Sequence, residues 1–526
     1  MNEQRAKGCL IAAVIWCVIL AALGVAYKFL VHPHLVGKLR EATSAPSQYK
    51  DEVLLAADSF SGYAILRSDA IKQALRARQI KLTVQDDKAD YAARLQALRE
   101  GRVQLAVFTI DSLVTAGAKA GDFPASIVLI IDETKGGDAI VAYQSAVASL
   151  QDLNHSSARF VLTPNSPSEF LARVVLAHFN LPDLPEKWFA AAEGAAGVYQ
   201  AFRGASPGEK KAFVLWEPYV SRALDQKGAH LLIDSSKLKG YIVDVLVAQR
   251  QFLRDRPDAV QAVIEAYCRA AYSYARQADG LAKLVMEDAR KTGGEPLNET
   301  QARQVVQGIQ WKNTLENYAH FGLVAGAEQG GLQNLEDIIG NIMDVLVKTK
   351  ALSSDPLSAR FHTLFYDKIL ADMRSAQFHP GKGLNLLSDA GSPGASLEQV
   401  RSDQELPQLN PAQWASLHPV GELKTSPIVF VRASTNISLD SERELQELAR
   451  RLQSFPRYYL RVVGHARAEG DAEANRALTQ ARADAAAQYL IGQGVKPARI
   501  RAEGAPPSAR GGEAQAVSFV VGQMPY

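Results

Sequence analysis

Carboxylates and hydroxyls gather at three places in the first third of the chain. They are Asp58, Ser59 and Ser61, then Thr109, Asp111 and Ser112, then Asp132, Glu133 and Asp138. Groups of these types either activate a nucleophile or hold a small molecule through hydrogen bonds. No nucleophile–base pair stands out among them. Neither an EF-hand pattern nor a histidine cluster supports a metal at Asp132, Glu133 and Asp138. The pattern suits holding a solute better than transforming it, and no cofactor is implied.

Each group follows a short apolar run, at 53–57, 103–108 and 127–131. Runs of this length and composition, alternating with helical patterning at 68–78, 91–99 and 111–119, predict buried strands of a parallel α/β sheet. In such sheets the ligand crevice lies beyond the carboxyl ends of the strands. A second set of elements follows Ala142, with strands at 160–162, 213–216 and 231–233, and the run 244–248 returns to the first lobe. Two lobes joined by two crossings make a hinged clamp. The turn DSFSGY adds Tyr63, with Gly62 allowing close backbone approach. Ser166-Pro167-Ser168-Glu169 opens a helix: Ser166 caps, Pro167 takes the first helical position and Glu169 completes a capping box. The amides of that terminus either only begin a helix or also face the cleft. Trp216 and Glu217 follow a strand, Trp216 as core or as ligand contact. Asp138 and Asp244 each precede an apolar run and read as hinge hydrogen-bonders ahead of ligand contacts. The candidate cleft set is therefore Ser59, Ser61, Tyr63, Thr109, Asp111, Ser112, Asp132, Asp138, Ser166, Ser168, Trp216, Glu217 and Asp244.

These residues, continued by SPSEF (166–170), LWEPYVSRAL (215–224) and YIVDVLVAQRQFLRDRP (241–257), resemble the nitrate/sulfonate/taurine/thiamine-precursor class of periplasmic substrate-binding proteins over about 200 residues. The resemblance implies a two-lobed periplasmic-binding-protein type II fold, an ABC permease as partner, and Trp216 and Glu217 facing the ligand or hinge. Enzymes among the thiamine-precursor relatives depend on a cysteine-rich stretch and a histidine that this chain lacks, so no enzymatic activity is expected. The rim mixes hydroxyls with carboxylates, which fits an amine-bearing or zwitterionic compound better than nitrate.

A chain of 526 residues has room for two to four domains, and 58 basic against 56 acidic residues give no reason to expect nucleic acid. Of the three cysteines, Cys9 and Cys17 lie in the amino-terminal apolar segment, leaving Cys268 for the soluble part, too few for a disulfide framework. Residues 8–27 carry no charge over 20 positions, enough for one membrane-spanning helix. A retained anchor is expected over a cleaved signal, on length. Arg5 and Lys7 before it and Lys28, Lys38 and Arg40 after it leave the orientation open; the domain resemblances place the bulk in the periplasm, tethered to the inner membrane. From Pro257 to Ser375 the pattern is helical almost throughout. There Trp311, Lys312 and Asn317 lie in a polar, aromatic stretch that reads as a packing helix, with Lys312 or Asn317 at the cleft mouth as the functional alternative. Residues 377–425 turn to Pro, Gly and Ser and read as a linker on which Trp414 and Leu417 dock to a neighbour.

The segment 426–526 alternates strands and helices, the first strand being IVFVRA (428–433). Its VVGH (462–465), Gly470, Asn475, Leu478, Thr479, Arg482, Ala483 and GVKPARIRAEG (494–504) resemble an OmpA-like domain, the module that holds the diaminopimelate unit of peptidoglycan. The resemblance puts its site at His465, Arg467, Asn475 and Arg482. The family's Thr-Asp after Gly-His is replaced here by Ala466 and Arg467, and its late Asn-Arg-Arg-Val by Ala514, Gln515, Ala516 and Val517. An amine facing Arg467 meets repulsion where the family offers attraction. The expected organisation is an anchor (1–31), a juxtamembrane linker (32–50), a two-lobed module (51–376; lobe 1 about 51–143 and 240–376, lobe 2 about 147–236), a linker (377–425) and an OmpA-like α+β domain (426–526). The expected function is membrane-anchored solute capture for uptake or sensing, with a cell-envelope scaffold using repurposed lobes as the alternative.

Overall fold

The computed structural model describes residues 49–293, 296–325, 332–381, 406–431, 434–465, 471–506 and 517–524. Among them no helix is long and apolar enough to cross a membrane; the segment 8–27 lies outside them.

The chain is α/β. It opens with β1 (Asp51–Ala56), β2 (Ile80–Gln85), β3 (Leu105–Thr109) and β4 (Ala125–Thr134). Every residue of β3 and β4 is buried, which is why these strands read as unbroken apolar runs: helices cover both faces. The chain then crosses to a second sheet made of β5 (Asp138–Tyr143), β6 (Arg159–Leu162), β7 (Phe189–Ala191), β8 (Lys211–Trp216) and β9 (Ala229–Asp234). It returns as β10 (Val243–Gln249) and β11 (Ile309–Trp311). The first sheet has the order β11-β4-β10-β3-β1-β2 and the second β7-β6-β8-β5-β9. Each sheet thus receives, directly after a crossing, one strand antiparallel to its neighbours: β5 against β8 and β9, and β10 against β3 and β4. Since β3 and β4 both oppose β10, and β1 runs parallel to β3, the tips of β1, β3 and β4 point the same way.

Three expectations are corrected here. The first crossing falls at 135–137, so β5 belongs to the second sheet and not to the first lobe as far as residue 143. The sheet is mixed, because β10 returns between β3 and β4. Residues 309–311 form an edge strand on β4, ahead of the helix Thr314–His320.

The two crossings are stapled together. Gly136 and Asp138 donate their amides to the Ser235 hydroxyl at 2.8 and 3.3 Å, and Lys135 donates its amide to the Gly308 carbonyl at 2.7 Å. Gly137 and Gly308 touch backbone to backbone; a methyl group on Gly308 would stand 2.9 Å from the Gly137 amide nitrogen.

The carboxyl-terminal unit is a sheet of order β12-β15-β13-β14, with β12 (His418–Glu422), β13 (Tyr459–Gly464), β14 (Ile500–Gly504) and β15 (Val517–Gln523), packed beside the helices Leu439–Gln453 and Ala472–Gly492. It begins earlier than 426. β12 pairs with β15, and Trp414 packs edge-on to Tyr459 with centroids 5.4 Å apart, so the end of the expected linker is part of this unit. The expected first strand at 428–433 is reduced to a single bridge, Phe430 to Ile437, with residues 432–433 outside the described set.

This unit docks on the two-lobed module at the rear of the crossings. Asn180 donates its amide to the Glu422 carbonyl (2.9 Å), Lys424 to His178 (2.8 Å) and Lys239 to Ser454 (2.9 Å), and Gln333 Nε2 donates to the Ser454 hydroxyl (3.0 Å). Phe455 stands edge-on to His178 at 5.2 Å, and the Tyr241 hydroxyl lies 2.7 Å from His178 Nε2. Burial first, then Arg451 and Lys348, hold His178 well below the usual histidine range, so it packs as a neutral ring.

Candidate functional site

Between the two sheets lies a cavity of about 600 Å3, within the range of small-molecule sites. Of the candidates, Ser59, Ser61, Tyr63, Thr109, Asp138, Ser166, Trp216, Glu217 and Asp244 line it. Asp111, Ser112, Asp132 and Ser168 do not; all four are buried behind the wall. Asp132 lies on β4, where alternate side chains point to opposite faces, while Asp111 and Ser112 lie in the helix Ile110–Ala120 and Ser168 in the helix Pro167–His178, on their buried sides. Ser112 is spent locally, accepting from the Thr109 hydroxyl at 2.9 Å and donating to the Thr109 carbonyl at 2.8 Å.

The lobe 1 wall is built on a pair of carboxylates. Asp132 of β4 and Asp244 of β10 are partners in register, 0% and 1% exposed. Tyr63 donates its hydroxyl to Asp244 Oδ1, while neither oxygen of Asp132 has a hydrogen-bond donor among the described residues. Gly62 makes the approach possible: a methyl group there would stand 2.5 Å from Asp132 Oδ2. Its carbonyl accepts from Trp311 Nε1 at 2.8 Å. Burial raises the Asp132 carboxyl to about 8, and burial, then the neighbouring Asp132, holds Asp244 well above the usual carboxylate range, so the pair favours its protonated forms. Asp58, by contrast, faces the fully buried guanidinium of Arg94 at 3.0 Å, which Asp87 also pairs.

On lobe 2, Asp138 of β5 stands opposite Trp216 of β8 in register, and Glu217 follows. Burial, then Asp111 and Glu217, push Asp138 up to about 7; burial raises Asp111 to about 7 and lifts Glu217 as well. The helix Pro167–His178 points its amino end at the cavity through Ser166 and Pro167, with Pro167 at the first helical position. The expected capping box is not formed. The Ser166 hydroxyl donates to the Thr163 carbonyl at 2.6 Å, and Glu169 accepts the Asn165 amide at 2.7 Å while pairing with Arg173. Asn165 has a φ of +53°, which turns the chain so that Glu169 meets the amide one residue early.

Sequence reading missed Phe60, Tyr91, Thr163 and Tyr219 on the wall. Phe60, Thr163 and Tyr219 were signalled only by their places after legible strands, and Tyr91 follows β2, whose polar sequence hides it. Lys312 and Asn317 are not at the mouth: Lys312 Nζ pairs with Glu133 at 2.8 Å with both side chains 5% exposed, and Asn317 bonds both backbone groups of Ile130. Glu133 is likewise no rim residue. Among the described residues no His/Cys/Asp/Glu grouping could hold a metal. In the tail unit, His465 Nε2 lies 2.7 Å from the Ser518 hydroxyl and burial lowers its pKa; Arg482 stacks over Phe430 at 5.2 Å, and Asn475 sits in the first turn of the helix Ala472–Gly492. Arg467 lies outside the described residues.

Carboxyls with raised pKa values make the empty protein pH-sensitive. Between their unfolded value near 4 and their folded values, the native state holds protons that the unfolded state has lost, so stability falls as pH rises. Asp132→Asn mimics the protonated acid. It is expected to flatten the fall of melting temperature between pH 5 and pH 8, removing up to about 1.4 kcal/mol of slope per pH unit. A thermal-unfolding series with the wild-type slope retained would refute this.

Residues 429–514 match the OmpA family. A 74-residue stretch, 14% of this chain, is 39% identical to the peptidoglycan-associated lipoprotein of Agrobacterium fabrum (strain C58 / ATCC 33970), and the chain spans only 42% of that relative's length. Among solved structures, the alkanesulfonate-binding protein SsuA from Xanthomonas axonopodis pv. citri bound to MOPS is similar over 59% of this chain and 96% of its own, with 17% identity and a TM-score of 0.44. The desulfurization enzyme DSZB is similar over 62% of this chain and 100% of its own, with 13% identity and a TM-score of 0.42. Likenesses this distant carry no argument about activity; the two-lobed architecture stands on the sheet order itself. The chain joins a two-lobed α/β module to a carboxyl-terminal unit that matches the OmpA family.

Proposed function

We infer that this chain is an extracytoplasmic solute receptor, anchored in the inner membrane by residues 8–27 and holding a small molecule between its lobes for uptake through an ABC permease or for sensing. The observation that carries the reading is the cavity of about 600 Å3 at which the tips of β1, β3, β8 and β10 meet across two adjacent crossings. A ligand favours closure only by binding the closed form better than the open one.

A second reading, an envelope scaffold with an unused cleft, is favoured by one observation. The tail unit touches lobe 2 at His178 and Asn180 and the return crossing at Lys239, contacts that brace the lobes. Against peptidoglycan itself, Arg467 in place of the family's acid supports weak binding, and Arg482-dependent retention of the full chain on sacculi would contradict that.

Thermal-shift screening of the full chain against amines, sulfonates and pyrimidines separates receptor from scaffold. A ligand at one hundred times its Kd stabilises by about 2.7 kcal/mol, a shift of several degrees. A flat response across the panel favours the scaffold.

A further inference from the structure

The charge of the cleft wall is one-sided. Asp58, Asp86, Asp138, Glu193, Glu217 and Asp244 line it against a single cation, the exposed Lys88, and no arginine or histidine is among the lining residues. Arg94 and Arg67, the nearest guanidiniums of lobe 1, are consumed behind the wall. Arg94 pairs with Asp58 and Asp87, and Arg67 with Asp288 and the carbonyls of Asp58 and Phe60. With Asp58 so neutralised, Asp244 on one lobe and Asp138 and Glu217 on the other remain facing the cavity. A second feature is independent of charge: Tyr63, Tyr91, Trp216 and Tyr219 supply aromatic faces to the same space, the surfaces on which organic cations rest. The Thr163 hydroxyl, also on the wall, is buried without a hydrogen-bond partner among the described residues.

Resting on the receptor reading, we propose that the cleft takes an organic cation, an amine- or ammonium-bearing solute. Its positive group is held between Asp244 of lobe 1 and Asp138 and Glu217 of lobe 2, and its body lies against Tyr63, Trp216 and Tyr219. The physics of closure follows. Burial and mutual repulsion disfavour ionising these carboxyls in the empty cleft, and a cation placed between the lobes favours their ionised forms and draws both walls to it. Selectivity over anions is built in, since a sulfonate or nitrate would meet carboxylates on both walls.

Proton release accompanies binding. Asp138 is faced by Thr134, Asp111, Glu217 and Trp216, and Asp244 by Tyr63, Asp132, Asp58 and Thr109; none of these supplies positive charge. Of the cations behind the wall, Lys312 acts on Asp132 and is itself paired with Glu133, and Arg94 is paired with Asp58 and Asp87. A bound ammonium therefore favours the ionised carboxylates, and affinity rises with pH.

The test is calorimetry on the full chain with putrescine, choline and methanesulfonate as probes. Binding of putrescine or choline is expected, tightening several-fold from pH 6 to pH 8 and weakened at least tenfold by Asp244→Asn and by Asp138→Asn. Both variants replace an ionisable carboxyl by a neutral side chain of the same shape, and circular dichroism checks that the fold is kept. Binding of methanesulfonate but neither cation, weakened by Trp216→Ala, would overturn the cation assignment and leave the receptor reading standing. Silence of all three probes would overturn the cation assignment, and if the wider panel is also flat the receptor reading falls with it.

Discussion

Lys312→Met is expected to cost the two-lobed module about 3–5 kcal/mol, the effect of orphaning a buried charge, and on the order of 5–10 °C in melting temperature. Lys312 sits just past β11, and its ammonium meets Glu133 Oε2 at 2.8 Å with both side chains 5% exposed. Glu133 Oε1 accepts from Lys135 at 3.1 Å and from the Gly240 amide at 2.8 Å, so one carboxylate ties the end of β4 to both crossings. Burial alone would raise its pKa, but Lys135 and Lys312 outweigh burial and hold it well below the usual carboxylate range. For a lowered acid the stabilisation is present above the unfolded value near 4.5 and is lost as pH falls through the folded one. The variant is therefore expected to lose most at neutral pH and to converge on wild type in strong acid. Adding Glu133→Gln should recover much of the loss, because the penalty comes mainly from the unpaired charge. A single variant that melts within 1 °C of wild type would show that the pair contributes little.

This ion pair also marks where sequence reasoning stops. Glu133 read as one of three rim carboxylates and Lys312 as a helix-face residue, because their partnership spans 179 positions and leaves no local trace. The strands β3 and β4 were legible because burial on both faces makes their centres apolar, and β1 because its second half is an apolar, mostly buried run. β2, with the sequence IKLTVQ, was missed; it is an edge strand half open to solvent, and its polar residues hide it. Asp138 was legible as a cleft candidate but was placed in the wrong lobe. The run AIVA suits either sheet, and only its pairing with β8 and β9 decides. β12 was hidden by Pro419 and Gly421, which read as linker; an edge strand tolerates both, and Gly421 lets the strand pass Phe179, whose Cδ1 would lie 2.8 Å from a methyl group there.

In the tail unit the legible motif and the packing coincide, and this makes the sharpest mutational contrast in the chain. Gly464 and Gly504 are partners in register on β13 and β14, and both lie under Thr479 of the helix Ala472–Gly492. A methyl group at Gly464 would overlap the Thr479 carbonyl oxygen and stand 2.8 Å from its carbonyl carbon; at Gly504 it would stand 2.7 Å from the Thr479 hydroxyl and 2.9 Å from the Gln480 amide. Neither glycine needs a positive φ, so the constraint is purely one of space. Because the obstacle at Gly464 is backbone, no rotamer relieves it, and the helix must lift. Gly464→Ala is expected to destabilise the tail unit by about 3 kcal/mol, the upper end of overpacking, and to displace Arg482, which lies one turn further along that helix. Gly492→Ala is the matched control. It lies at the end of the same helix with nothing within 4 Å, so it should be neutral or stabilising by up to about 1 kcal/mol. Calorimetric unfolding of the full chain reads both. If Gly464→Ala leaves the tail transition where Gly492→Ala leaves it, then the close seating of helix on sheet is not what holds this unit together.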